Sequence, residues 1–269
     1  MIPAAFAYQR ASSVDDAVKL LGQAGDVKVL AGGHSLIPLM RLRLAQPTTL
    51  VDINPLAGEL GYIRRDNGTL RIGALTRHYQ IHESPAVTSA LPLLADVAGE
   101  VGDEQVRSMG TIGGVLAHAD PAGDYGTLAL MLDATITTNK RSIAARDFFK
   151  GLFTSALATD ELITEVSFPV ASGPHSYQKF RRRMSDWAII AVAAQQMEDG
   201  QWRVGLTNAA PTPVRARAVE QALASGASPA DASRQAAQGI EPAADLRGSV
   251  EYKTHLAQVL TQRAIEASR

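Results

Sequence analysis

Ala31-Gly32-Gly33-His34-Ser35 lies between an alternating apolar run and a helix-like run, and its reading decides the fold. A second glycine-rich loop, Gly110-Thr111-Ile112-Gly113-Gly114, is followed by His118-Ala119-Asp120-Pro121-Ala122-Gly123-Asp124. Two loops of this kind offer two nests of bare backbone N–H groups, and one use for such nests is to grip the two phosphates of a dinucleotide. Neither loop has the spacing of a common nucleotide fingerprint. Gly32 and Gly33 are adjacent with no third glycine at the required place, which excludes a Rossmann turn. No Gly-Lys-Ser/Thr closes the loop as a P-loop would require. Taken singly, a Gly-Gly pair is also what an ordinary strand-to-helix turn needs.

Outward from the first loop, Ser13-Val14-Asp15-Asp16 reads as a helix start with Ser13 as N-cap and acids in the first turn. Val14, Ala17, Val18 and Leu21 recur at helical spacing, and Gly22 or Gly25 ends the run. Val27–Ala31 is a strand candidate running into the loop. Ser35 is expected to cap a second helix through Leu44, with Pro38 tolerated in its first turn. Leu50–Ile53 is the next strand. These elements make a small α/β unit.

Around the second loop, Asp66-Asn67-Gly68 is a turn that introduces a strand at Leu70–Ala74. Pro92–Val101 is helical, Tyr125–Asp133 is a short apolar helix, and Ala134–Thr138 is a strand candidate. Asp160-Glu161-Leu162-Ile163-Thr164-Glu165-Val166 ends in a strand that Pro169 terminates. Ala171-Ser172-Gly173-Pro174 has linker composition. Beyond it, His175–Arg181 and Trp202–Thr207 are strand candidates around an apolar helix or strand at Ala188–Met197. Helical runs at Val214–Ala224, Pro229–Gln238 and Val250–Ala267 close the chain. The expected units are 1–55, 56–170 and 171–269.

A chain of 269 residues, 46% hydrophobic and 20% charged, has the makings of a substantial core. With 26 basic and 27 acidic residues the formal net charge is −1, which gives no electrostatic reason to expect nucleic acid or an acidic membrane as partner. The longest strongly apolar stretch, Ala188–Ala194, is far short of a membrane span. Met1-Ile2-Pro3-Ala4-Ala5-Phe6 lacks a basic region and a sustained apolar run, so no secretion signal is expected and the cytoplasm is the default location. There are no cysteines, which excludes disulfides, thiolate catalysis and iron–sulfur ligation by this chain.

Several residues carry two readings. His118, Asp120 and Asp124 have the donor types of a mixed metal site, but no further ligand group accompanies them. Asp124 is equally suited to accept from a ribose hydroxyl. No Gly-x-Ser-x-Gly elbow is present, which removes the common hydrolase nucleophile. Lys179, Arg181, Arg182 and Arg183 form either a solvated face or a contact for a cofactor phosphate, an anionic acceptor or a partner. Trp187 is either a packed aromatic at a core edge or a flat surface against a cofactor ring.

The two loops together, in this order and separation, resemble the FAD-binding medium subunit of molybdenum hydroxylases, closest to the carbon monoxide dehydrogenase-type branch. Xanthine dehydrogenase carries a more distant version as an internal domain. The resemblance rests on Ala31-Gly32-Gly33-His34-Ser35-Leu36-Ile37-Pro38-Leu39-Met40 and Thr111-Ile112-Gly113-Gly114, supported by Asp160–Glu165 and Ser185-Asp186-Trp187-Ala188. It implies an α+β chain: a vanillyl-alcohol oxidase-type FAD-binding domain of two α/β subdomains, then a small C-terminal α+β domain over the flavin. It implies that Ala31, Gly32, Gly33, His34 and Ser35, with Gly110, Thr111, Ile112, Gly113 and Gly114, hold the FAD pyrophosphate through backbone amides. It also implies Asp124 at the adenosine ribose, Ile163 near the cofactor, Lys179 approaching the flavin, and Trp187 where the branch tends to have tyrosine. Val115 departs from the family's usual asparagine, and Ser108-Met109 from its asparagine and arginine.

The implied function is an FAD-carrying electron-transfer subunit with no catalytic acid–base residue and no metal of its own, since the cofactor carries the chemistry. Partners would be a large subunit with the molybdenum cofactor and a small subunit with [2Fe-2S] clusters, in a dimer of heterotrimers. The external acceptor would be NAD, a quinone or dioxygen. Two rivals remain: a self-sufficient flavin oxidase, which the short C-terminal piece does not favour, and a scaffold whose loops have lost the cofactor, for which Val115 is the one hint.

Overall fold

Residues 2–268 are described by a computed structural model. The first unit is a three-stranded parallel sheet in the order β1-β3-β2, built from β1 (Ala7–Arg10), β2 (Val27–Leu30) and β3 (Thr49–Asp52). Parallel strands need crossovers, and α1 (Val14–Leu21) and α2 (Leu36–Arg41) supply them. Ser13 caps α1 by accepting from the Asp16 amide at 3.1 Å. Ser35 does not cap α2. Its backbone is already helical at φ −105°, ψ −50°, and its hydroxyl makes no hydrogen bond to the first-turn amides. The helix also stops at Arg41, short of Leu44, because Arg43 turns left-handed at φ 60°.

A 3₁₀ turn at Asn54–Leu56 and α3 (Ala57–Leu60) lead into the second unit. Its five-stranded sheet has the order β4-β5-β10-β6-β7, with every pair antiparallel. β4 (Ile63–Asp66) and β5 (Thr69–Gly73) are joined by Asn67-Gly68, both at positive φ, as a two-residue hairpin requires. Six helices follow before the sheet resumes: α4 (His78–His82), α5 (Pro85–Ala90), α6 (Pro92–Gly99), α7 (Glu104–Met109), α8 (Ile112–His118) and α9 (Asp124–Met131). Then come β6 (Thr135–Thr138), β7 (Ser142–Ala144), α10 (Ala145–Phe148), a small hairpin of β8 (Phe149–Gly151) and β9 (Thr154–Ser155), and β10 (Ile163–Pro169). Leu70, Ile72, Ile136, Val166 and Phe168 of the sheet are buried against Leu93, Leu94 and Leu128 of the helices.

The third unit is a four-stranded antiparallel sheet of β11 (His175–Phe180), β12 (Ile190–Gln196), β13 (Trp202–Thr207) and β14 (Val214–Arg215). Helices α11 (Arg217–Ala224), α12 (Pro229–Arg234) and α13 (Val250–Ala267) accompany it. β12 resolves the ambiguous run at 188–197 as strand. Ile190, Val192 and Ala194 belong to the core beneath α13, whereas Ala193 joins the core of the second unit. Burial on both faces removes the polar alternation that would have identified a strand. Small residues permit this approach: a Cβ on Gly205 would stand 2.5 Å from Thr127 Cγ2 of α9. Among the described residues no helix is long and apolar enough to cross a membrane.

Candidate functional site

The two glycine loops abut. A Cβ on Gly32 would lie 2.5 Å from the Met109 carbonyl oxygen and 2.7 Å from Gly110 Cα, so only glycine permits this contact. Together they wall a cleft of about 440 Å³, within the ordinary range for small-molecule sites of about 300–1,000 Å³. Ala31, Gly32, Gly33, His34 and Ser35 line it from one side, and Gly110, Thr111 and Gly114 from the other. Asp124, Lys179 and Trp187 also line it, so the cleft collects residues from all three units. Val29, Leu36, Leu39, Val101 and Val106 supply an apolar wall.

The first loop presents donors. Among the described residues, the amides of 32–35 donate to no acceptor, and neither does the Ser35 hydroxyl. Gly32, Gly33 and Ser35 are half-buried and His34 is exposed, so the row presents unpaired donors to an anion or to water at the cleft. The second loop differs from expectation. The Ile112 amide donates to Thr76 O at 3.2 Å, the Gly113 amide to Ala74 O at 2.9 Å, and the Gly110 amide to Val106 O at 2.8 Å. The Gly114 amide donates to Thr111 Oγ1 at 3.1 Å. Only the Thr111 amide is left free, because the rest of the loop closes α7, opens α8 and anchors to the strand end at Ala74–Thr76. Ile112 and Gly113 are buried and stand off the cleft, and so does Ile163, which lies in β10. Gly113 is there for packing: a Cβ would meet Ala74 Cβ at 2.7 Å.

Asp124 is already engaged. Its carboxylate accepts from the Tyr177 hydroxyl at 2.5 Å and from Lys179 Nζ at 2.9 Å. Burial pushes the Asp124 carboxyl up, against Lys179 and the Tyr177 O–H, which favour its charged form. The Lys179 side chain is 2% exposed and donates also to Glu100 O at 2.9 Å. Residues alternate along β11, so the basic run divides. His175, Tyr177, Lys179 and Arg181 face α6 and α9, with His175 on Asp96 at 3.1 Å and Arg181 on Glu100 at 2.8 Å. Arg182 and Arg183 are exposed.

The structure does not assemble a metal site from His118, Asp120 and Asp124. His118 packs at a tilt against Phe153 with centroids 5.2 Å apart, Asp120 accepts from the Ala122 amide at 2.9 Å, and Asp124 is held as above. Trp187 is 54% exposed at the cleft, with the Arg247 guanidinium 5.7 Å from its ring centroid. His78, which sequence reading did not single out, also lines the cleft, stacked on Tyr125 at 5.1 Å. Burial lowers its pKa to about 3, which keeps the ring neutral. Asn54 and Arg77 were likewise missed. Both bond to loop carbonyls 23 and 32 positions away in sequence, a distance that no local pattern signals.

Comparison with known proteins gives a consistent result. The family described as the FAD binding domain in molybdopterin dehydrogenase matches residues 4–171, and the CO dehydrogenase flavoprotein C-terminal domain matches residues 175–268. The carbon monoxide dehydrogenase medium chain of Hydrogenophaga pseudoflava is 40% identical, covering 100% of this chain and 98% of the relative. The glyceraldehyde dehydrogenase medium chain of Sulfolobus acidocaldarius is 38% identical, covering 99% of each. A solved structure of Hydrogenophaga pseudoflava carbon monoxide dehydrogenase lacking the Mo-pyranopterin moiety superposes with a TM-score of 0.94, at 40% identity over 100% of this chain and 98% of that one.

Proposed function

We propose, for a chain that belongs to the family of FAD-binding medium subunits of molybdenum-containing dehydrogenases, that its task is to carry electrons from a partner iron–sulfur subunit to an external acceptor. The protein is the FAD subunit of an oxidoreductase. Bound FAD supplies the redox chemistry, exchanging electrons singly or in pairs. The chain's own residues bind and orient it. The row of free amides at 32–35, with the Thr111 amide opposite, is the observation that carries the reading, because surplus donors in a glycine-walled cleft match a diphosphate. The Ser35 hydroxyl adds a further donor. Gly110, Gly113 and Gly114 serve by absence of side chains, with Ile112 and Ile163 packing behind them.

In this reading Asp124 offers its remaining lone pairs to the adenosine ribose while Lys179 and Tyr177 hold the carboxylate in place. Trp187 covers the flavin from the C-terminal unit. Units 1–55, 56–170 and 171–269 then correspond to two halves of the cofactor domain and its cover. Substrate oxidation takes place in a partner chain holding the molybdenum cofactor, within a cytoplasmic dimer of heterotrimers that includes the [2Fe-2S] subunit. The acceptor is NAD, a quinone or dioxygen. Relatives named for carbon monoxide and for glyceraldehyde are about equally similar to this chain, which supports a reading in which substrate choice lies with the partner.

The purified chain is expected to show yellow flavin absorption that moves to the supernatant after heating and centrifugation, with FAD as the released species. A colourless chain that also takes up no added FAD would refute the assignment. Turnover of the complex's substrate by this chain alone would refute the division of labour.

A further inference from the structure

A chain of polar groups that does not line the cleft connects the two glycine loops. The Tyr8 hydroxyl donates to Asp52 Oδ2 at 2.5 Å. Asp52 Oδ1 accepts from the Asn54 backbone amide at 2.9 Å and from Asn54 Nδ2 at 2.6 Å. Asn54 Nδ2 donates also to Ala31 O at 2.9 Å, and Asn54 Oδ1 accepts from Arg77 Nη2 at 2.6 Å. The other arm of the guanidinium, Nη1, donates to Met109 O. The chain therefore starts on β1, crosses the end of β3 and finishes on the segment before α4. Its two terminal acceptors are the carbonyls that immediately precede Gly32 and Gly110.

We propose that the chain Tyr8–Asp52–Asn54–Arg77 sets the two glycine loops for the FAD diphosphate, with Asn54 and Arg77 as positioning residues. The inference rests on the assignment of the cleft to FAD. The physical basis is the planarity of the peptide. Ala31 C=O and Gly32 N–H share one rigid trans unit and point in opposite directions. Fixing the carbonyl on Asn54 therefore fixes the first free amide of the row at 32–35. It also keeps a carbonyl dipole from turning its negative end toward an anion.

At the second loop, the Arg77 fork holds Met109 O, the atom against which Gly32 packs. Arg77 is itself fixed. Its amide donates to Gln80 Oε1 at 2.9 Å, and its segment bridges Thr111, with the His78 amide on Gly110 O and the Ile112 amide on Thr76 O, both at 3.2 Å. The planar guanidinium reaches Asn54 and Met109 at once, which a single lysine ammonium does not reproduce with the same geometry. One residue thereby ties the loop of the first unit to the loop of the second.

The test uses the full-length chain freed of FAD, titrated with FAD and with ADP as competitor, for wild type, Asn54→Ala, Arg77→Lys, Arg77→Met and the Asn54→Ala/Arg77→Met pair. Each single change is expected to weaken FAD roughly 10- to 100-fold, the scale for one or two hydrogen bonds involving a charged partner. ADP should weaken in step. The double variant should lose less than the product of the two single losses, since both single changes already break the shared Asn54–Arg77 bond. The thermal transition of the FAD-free protein should survive in all of them.

Unchanged FAD affinity, effects that multiply in the double variant, or ADP competition that stays at the wild-type value would each overturn the proposal. If Arg77 variants do not fold, Tyr8→Phe provides the same test from the exposed end of the chain. It is expected to give a loss of a few-fold shared by FAD and ADP, and no loss overturns the idea. A wild-type chain that binds no FAD refutes the assignment of the cleft itself, and the proposal with it.

Discussion

Replacing Lys179 with methionine tests the join between the C-terminal unit and the cofactor domain. Lys179 and Asp124 have side chains 2% and 6% exposed, and their charged atoms are 2.9 Å apart. Methionine keeps most of the volume and removes the charge. Asp124 would retain only the Tyr177 hydroxyl, and Glu100 O would lose its lysine partner. Breaking one partner of a buried pair costs about 3–5 kcal/mol because the remaining charge is uncompensated. For a protein of this size each kcal/mol is about 2–4 °C, so the melting temperature of the FAD-free chain should fall by roughly 6–20 °C.

The deficit should depend on pH with a definite sign. With the lysine gone, burial raises the Asp124 carboxyl above its unfolded value, so the cost is full at neutral pH and shrinks as pH falls and the group protonates. Asp124→Asn in the Lys179→Met background should restore most of the loss, since no buried charge is then left unpaired. Differential scanning calorimetry at pH 7 and pH 5 on wild type, Lys179→Met and the Lys179→Met/Asp124→Asn double variant measures all of this. A deficit below about 1 kcal/mol, or a double variant as unstable as Lys179→Met, would refute the account of the pair.

Gly32→Ala should drive the loops apart, because its Cβ meets Met109 O at 2.5 Å, and FAD retention through gel filtration should be lost while the FAD-free fold persists. Arg141, with desolvation opposing it, lowers Glu161 to about 2. That acid contributes stability present above its unfolded value near 4.5 and lost as pH falls toward 2. Glu161→Gln should accordingly be less stable than wild type at pH 7 and indistinguishable from it near pH 2 in acid-unfolding curves. His78, lowered by burial to about 3, stays neutral when folded and charges when unfolded, so it erodes stability as pH drops below 6.5. His78→Phe keeps the stack on Tyr125 and should flatten that decline between pH 6.5 and 3, read by thermal melts across the range.

Much of the fold could be read locally. Trp202–Thr207 and Val250–Ala267 coincide with β13 and α13, and the structure adds Ser249 as the cap of α13. β1 escaped notice because it is an edge strand of polar, largely exposed residues, and strand identity there comes only from pairing with β3. The helices α4, α5 and α7 have five or six residues each, too short to show a period, and exist through tertiary packing. At the site, residue types near the glycines were legible because backbone exposure has a sequence signature. Which amides stay free was not, since Ala74 and Thr76 take two of them from far along the chain. Ser35 looked like a cap by type and position. Its helical backbone angles rule that out, and no neighbouring letter announces those angles.

The seating of β11 on α6 and α9 also sets a timetable for synthesis. Lys179 follows Asp124 by 55 positions, so a nascent chain completes the whole α6–α9 layer before it contains the ammonium that neutralises it. At ordinary ribosomal rates of about 5–20 residues per second, that interval is roughly 3–11 s. During it the start of α9 must remain wet, because sealing an unpaired carboxylate in apolar surroundings is unfavourable. The cleft floor at Asp124 therefore closes late, when the strand carrying Tyr177 and Lys179 emerges and docks. Cofactor loading that needs that floor waits for β11, the first strand of the C-terminal unit.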